Sequence, residues 1–243
     1  MKIIFSALLL LSFAAAQAQN DRLYDRNFIV WPQVFTTVRL GEKTDWLAEY
    51  QWRRTEGLQS WQQSLLRTAI QFRSSDKLSF ALGYGWIETF PYGDFPLAAN
   101  GSFPEQRIFE QLQWKTTGEK WQLTQRLRIE QRWVGNRTAA EREIDAWRFS
   151  HRFRHFIKLQ HPIHPKGFYA ALADEIFIGA GKNVGSNVFD QNRIMILLGK
   201  RISDKVLIEG GFINQTVMQG KRVEQQTIMQ NNNGLLLSSF INF

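Results

Sequence analysis

A chain of 243 residues without a single cysteine has neither disulfides nor thiolate metal sites or nucleophiles, so burial and backbone pairing must hold it together. Its formal charge of +8 is dispersed through patterned segments rather than gathered into one basic tract, which argues against nucleic acid as a partner. Aromatic side chains make up 14% of the residues, yet beyond the N-terminus apolar residues seldom stand in long runs.

The opening stretch MKIIFSALLLLSFAAAQAQN places Lys2 before an apolar run from Ile3 to Ala16 and closes on Ala16-Gln17-Ala18, a small-x-small cleavage pattern. It reads as a secretory signal peptide over residues 1–18, with a mature exported chain over 19–243. The run falls short of the roughly 20 apolar residues that a membrane helix needs. No Pro/Ser linker, charge block or low-complexity tract divides the remainder, so one domain is expected.

From there the period is two. Segments at 28–40, 44–54, 60–73, 77–90 and 105–115 alternate apolar with polar residues. The clearest follows at 121–133, where Trp121, Leu123, Leu127, Ile129 and Trp133 oppose Arg126, Arg128, Glu130 and Arg132. At 147–159, Trp147, Phe149, Phe153, Ile157 and Leu159 oppose Arg148, Ser150, Arg152 and Arg154, and further segments lie at 167–179, 190–202, 205–218 and 232–243. Tight turns such as SSDK and ISDK alternate with longer polar loops at 91–105, 135–145 and 181–192, which describes an antiparallel up-and-down meander.

Strand length selects the architecture. Trp121 to Trp133 covers about 40 Å of strand at roughly 3.3 Å per residue, or about 30 Å of height after a tilt near 40°. Strands of soluble proteins usually run about 5 to 6 residues. Tryptophans near the segment ends suit the interfacial girdles of a membrane protein. The expected fold is therefore all-β: a single-domain transmembrane antiparallel up-and-down β-barrel in the outer membrane of a Gram-negative bacterium. Eleven segments are distinct, and bacterial single-chain barrels have even strand numbers. Twelve strands are expected, with residues 20–31 supplying the extra one and ten as the alternative count.

The C-terminal segment ends on LLLSSFINF, which sets Leu235, Leu237, Ile241 and Phe243 on one face. Phe243 is thus expected to be the outward aromatic by which the barrel-assembly machinery recognises a last strand. Outer-membrane lipid is the other expected partner.

Four stretches, QRLRIEQRW (125–133), HPIHPKGFYAALADEIFI (161–178), FDQNRIMILLGKRIS (189–203) and EGGFINQ (209–215), together resemble the domain-of-unknown-function 2490 family. Its members are exported proteins common in Bacteroidota and expected to form outer-membrane barrels. The resemblance implies a fold and an address, and no activity for any residue.

A loop centred near residue 140 would make strand partners sum to about 280, setting Arg132 opposite Arg148, Arg128 opposite Arg152, and Arg126 opposite Arg154. Like charges directly opposite are destabilising, so acids must reach this lumenal ladder. Glu130, Glu175 and Glu209 are the expected partners, with Glu49 a further candidate; Arg107 and Arg193 would add to the cations. Such a lumen is either closed by Arg–Glu networks or serves anions, the expected role being structural or anion-preferring transport of small solutes.

The same register sets Glu110, Gln125 and His155 in a row on the outer face. A lipid-modifying enzyme of the phospholipase or deacylase type, the alternative, would need a serine beside such a histidine, and none is in register. His161 and His164 form only an isolated His-x-x-His, so no metal, cofactor or catalytic residue is expected. Gly83 and Gly85 should face inward and make room for bulky neighbours.

Overall fold

A computed structural model describes residues 22–137, 144, 146–185 and 187–243, so the expected signal peptide lies outside the described residues. Eleven strands run in chain order: β1 (Arg22–Arg39), β2 (Thr44–Thr55), β3 (Ser60–Arg73), β4 (Leu78–Thr89), β5 (Phe103–Thr117), β6 (Gln122–Asn136), β7 (Ala146–His164), β8 (Phe168–Ala180), β9 (Phe189–Arg201), β10 (Val206–Val223) and β11 (Gln226–Asn242). Each strand pairs with its sequence neighbour, and β1 pairs with β11 to close the barrel.

The expected twelve strands, and the alternative of ten, give way to eleven among the described residues. Residues 22–39 form one unbroken strand, so the described part of the expected extra strand, 22–31, belongs to β1. An odd count makes β1 and β11 parallel, in a continuous register from Arg22↔Thr227 to Thr37↔Asn242. Parallel pairing needs no hairpin, only a close approach. Gly234 supplies it: a Cβ there would stand 1.7 Å from the Ile29 carbonyl oxygen of β1.

Alternation sends the two sets of side chains to opposite faces. Large apolar side chains project outward, among them Leu82, Leu172, Ile196 and Leu198, each more than half exposed. Arginines, glutamates and glutamines are buried inside. Along β11 the outward residues change from Asn231 and Asn233 to Leu235 and Leu237, which marks one edge of the apolar band. Residues 219–231, which carry no clear alternation, lengthen β10 and β11 and leave only a two-residue turn at Glu224 and Gln225, both at positive φ.

The connections at one rim are all short, and β11 ends there. At the other rim stand the start of β1, the loop at 90–102, the end of β6 and the start of β7, and the end of β8 and the start of β9. The loop at 90–102 folds inward over its mouth. Asp25, buried on β1, accepts the backbone N–H groups of Asp94 and Phe95, while the Phe95 carbonyl accepts from Gln219 and Gln230. The Tyr92 hydroxyl donates to Gln230 and accepts from Asn232. Burial raises its pKa above the ordinary phenol value, which keeps the donor protonated.

The β6–β7 register is offset by two residues from the expected one. Arg152 faces Glu130, Arg154 faces Arg128, Phe156 faces Arg126, Ser150 faces Arg132, and Arg148 faces Val134. A shift of two preserves every side chain's face. It also gives Arg152 an acid partner, Glu130, in place of Arg128, and leaves Arg128 and Arg154 as an opposed arginine pair beside it.

Candidate functional site

The strands β5, β6, β7, β8 and β9 assemble the interior charge network. Arg152 Nη2 lies 2.5 Å from Glu130 Oε2, and Arg154 Nη1 lies 2.5 Å from Glu130 Oε1. Arg154 reaches on to Glu175 at 2.6 Å, which also takes Arg126 at 2.7 Å and Arg193 at 3.5 Å. Arg128 donates two hydrogen bonds to Gln111 Oε1 and approaches Glu130 at 3.9 Å. Arg132 and Arg107 share Glu105, each at 2.5 Å. Each of these three carboxylates therefore serves at least two guanidinium groups, and positive charge is left in excess.

Two expected members stand elsewhere. Arg148 is exposed at the long-loop mouth, where β7 has run past the buried section. Glu209 takes its hydrogen bonds from Lys158 and the Tyr169 hydroxyl. Its strand partners, Ser238 and Gly199, set it nearer the short-turn rim than the ladder. The outer row also changes: Glu110 faces Ile129, Gln125 faces Trp114 and Ile157, and His155 faces Leu127 and Ile176. The two-residue β6–β7 offset parts Gln125 from His155, the β5–β6 register parts Glu110 from Gln125, and Gln131 donates to Glu110 in place of Gln125.

Several interior residues escaped the sequence. Arg53 on β2 has Gln51 and Gln63 as side-chain acceptors and lies 4.1 Å from the Trp31 ring centroid. Arg67 pairs with Glu49 at 2.7 Å. Their signal was the alternation of Gln51 and Arg53 with outward Tyr50 and Trp52. Asp190 sits 2.7 Å from Arg152, and strict alternation would have turned it outward. A bulge between the Phe177 and Ile178 pairings inserts it as an extra residue and re-aims its side chain.

Aromatic rings carry the guanidinium planes. Phe177 has Arg154 at 4.4 Å, Arg193 at 4.6 Å and Arg152 at 5.1 Å from its centroid, and Arg128 lies 4.3 Å from Phe109. Such contacts are worth roughly 2 kcal/mol when desolvated. Phe109 fits because Gly83 faces it: a Cβ there would stand 2.4 Å from its ring.

This charged and aromatic layer divides the interior. The long-loop side holds a cavity of about 460 Å³ bordered by Tyr92, Arg107, Arg132, Arg152 and Gln215. The short-turn side holds one of about 610 Å³ bordered by Glu49, Arg67, Arg126, Tyr169 and Leu236. Arg193 borders both.

An uncharacterized protein of Methylorubrum extorquens is similar to this chain, with 29% identity over 199 residues, 77% of this chain and 78% of that protein. The NanC porin structure aligns at 9% identity with a TM-score of 0.47, covering 89% of this chain and 99% of that one. The family model described as "Protein of unknown function (DUF2490)" matches residues 28–226, as the four sequence stretches suggest, and the chain belongs to that family.

Proposed function

We propose that the protein is an outer-membrane β-barrel whose interior serves small anionic solutes. One observation carries the reading: the faces are inverted relative to a soluble barrel, with leucines, isoleucines and phenylalanines outside and an arginine-rich network inside. Monomeric soluble proteins rarely expose contiguous apolar patches above a few hundred Å², whereas a lipid-facing band requires one. Thirteen residues, the length of β8 and β9, rise about 30 Å at a tilt near 40° and match the height of such a band. Phe243 at the outward end of the last strand suits recognition by the barrel-assembly machinery.

The anion preference follows from the excess of guanidinium groups over carboxylates, since rings of arginine favour anions and repel cations. Arg53 has no carboxylate among its hydrogen-bond partners, and Arg128 has Glu130 only at 3.9 Å. The test combines fractionation with conductance. The protein should fractionate with the outer membrane, migrate differently on gels before and after heating, and give anion-preferring currents in planar bilayers. Charge reversal at Arg53, Arg128 or Arg152 should reduce that preference. Release as a soluble periplasmic protein would overturn the membrane reading, and cation preference or electrical silence would overturn the transport reading.

A further inference from the structure

The short-turn cavity has two unlike walls. On the strands β1, β8, β9, β10 and β11, a cluster that includes Trp31, Met195, Leu197, Ile213 and Leu236 points inward and borders the cavity. A water-filled barrel lumen is ordinarily polar, so apolar side chains facing an interior space call for a reason. The opposite wall carries Arg67, Arg126 and Arg154. Arg67 is 6% exposed, and its Nε, like that of Arg126, is buried without a hydrogen-bond acceptor. Arg126 joins the walls: its Nη2 binds Glu175 while its guanidinium lies 4.7 Å from the Phe156 ring centroid.

We propose that this cavity binds an amphipathic organic anion, with the acid group on the Arg67–Arg126 wall and an apolar body against Met195, Leu197, Ile213 and Leu236. The inference rests on the interior serving small anions and names their class. The volume of about 610 Å³ lies within the range of small-molecule sites, roughly 300–1,000 Å³. A carboxylate or sulfonate would accept from the guanidinium groups of Arg67 and Arg126 where they line the cavity, and charge-assisted hydrogen bonds are the stronger kind. The apolar wall would gain burial that water cannot provide. Glu49 and Glu175 border the same space, but each is already held by guanidinium groups, and Glu209 is held by Lys158 and Tyr169. A neutral sugar or inorganic anion would use only one wall.

Calorimetric titration of the full barrel in lipid nanodiscs, with empty nanodiscs as reference, tests this with three probes: 4-phenylbutyrate, its neutral amide and acetate. The acid should bind at least about tenfold more tightly than either of the others. Ile213→Asn and Arg126→Gln should each weaken it about tenfold, whereas Lys221→Gln at the opposite mouth should not. Acetate binding as tightly as phenylbutyrate, the amide matching the acid, or no binding of the acid would each overturn the inference; the probe series on the unaltered protein decides it even if a variant fails to fold. Bilayer currents on the same preparation keep the two readings apart. Anion-preferring conductance without the affinity order sinks only this inference, and the affinity order in a silent barrel supports it while sinking transport.

Discussion

Arg152 on β7 stands directly opposite Glu130 on β6, with guanidinium and carboxylate 2.5 Å apart and the carboxylate wholly buried. The same Glu130 holds Arg154, so one acid anchors two strand-central cations. Removing one partner of a buried pair strands the other charge, at about 3–5 kcal/mol. Glu130→Gln should therefore lower the urea midpoint of the refolded barrel by a corresponding amount, and by more than Glu49→Gln, which strands only Arg67. Equal midpoints for the two variants would contradict the shared role.

Asp25 pins the inward loop through the N–H groups of Asp94 and Phe95. Asp25→Ala should free residues 90–102, raise single-channel conductance and open the loop to protease. Gly93 gives an independent check. A Cβ there would stand 2.4 Å from the Asp25 carboxylate, at a φ of +75° that disfavours a side chain, so Gly93→Val should do the same. Unchanged conductance in both would place the barrier at the charged layer alone.

The membrane reading sets Ile196, 55% exposed and next to the middle of β9, against lipid. Ile196→Arg should destabilise the embedded barrel by about 2–4 kcal/mol, the cost of such a charge near the bilayer midplane. The measurement is the folded fraction at graded urea in phospholipid vesicles. A neutral effect with improved solubility in buffer would point to an aqueous environment instead.

Phe243 exchanges two backbone hydrogen bonds with β1, donating to Thr37 at 2.9 Å and accepting from Arg39 at 3.1 Å. Deleting it removes both bonds and the exposed ring, whereas Phe243→Asp removes the ring alone. Both should reduce the heat-modifiable barrel recovered from membranes. Normal assembly of the Asp variant would assign the role to backbone closure rather than to the aromatic.

Every segment from 28–40 to 232–243 became a strand because a period of two is written locally, residue by residue, as Leu127, Arg128, Ile129 and Glu130 illustrate. Partnering is not local. The β6–β7 offset depends on where the loop reverses, and an error of two leaves Arg128 and Arg152 facing inward while exchanging their partners. Asp190 eluded the pattern because a bulge breaks it. The parallel seam left no trace in alternation, since Ile29 and Gly234 look like ordinary strand residues until they meet. Likewise Trp31, Met195 and Leu236 share a wall only after β1, β9 and β11 are brought side by side.

The parallel closure sets Arg22 and Phe243 at opposite rims. A segment joining them would have to climb the length of β1, about 45 Å after a tilt near 40°, or roughly fifteen extended residues. Outside, it would cross the apolar band; inside, it would meet the Arg193–Glu175–Phe177 layer. Circular permutation with a short linker, open to an even-stranded barrel whose ends share a rim, is therefore barred to this one, and reporter groups fused at Arg22 and at Phe243 would emerge at opposite ends of the barrel.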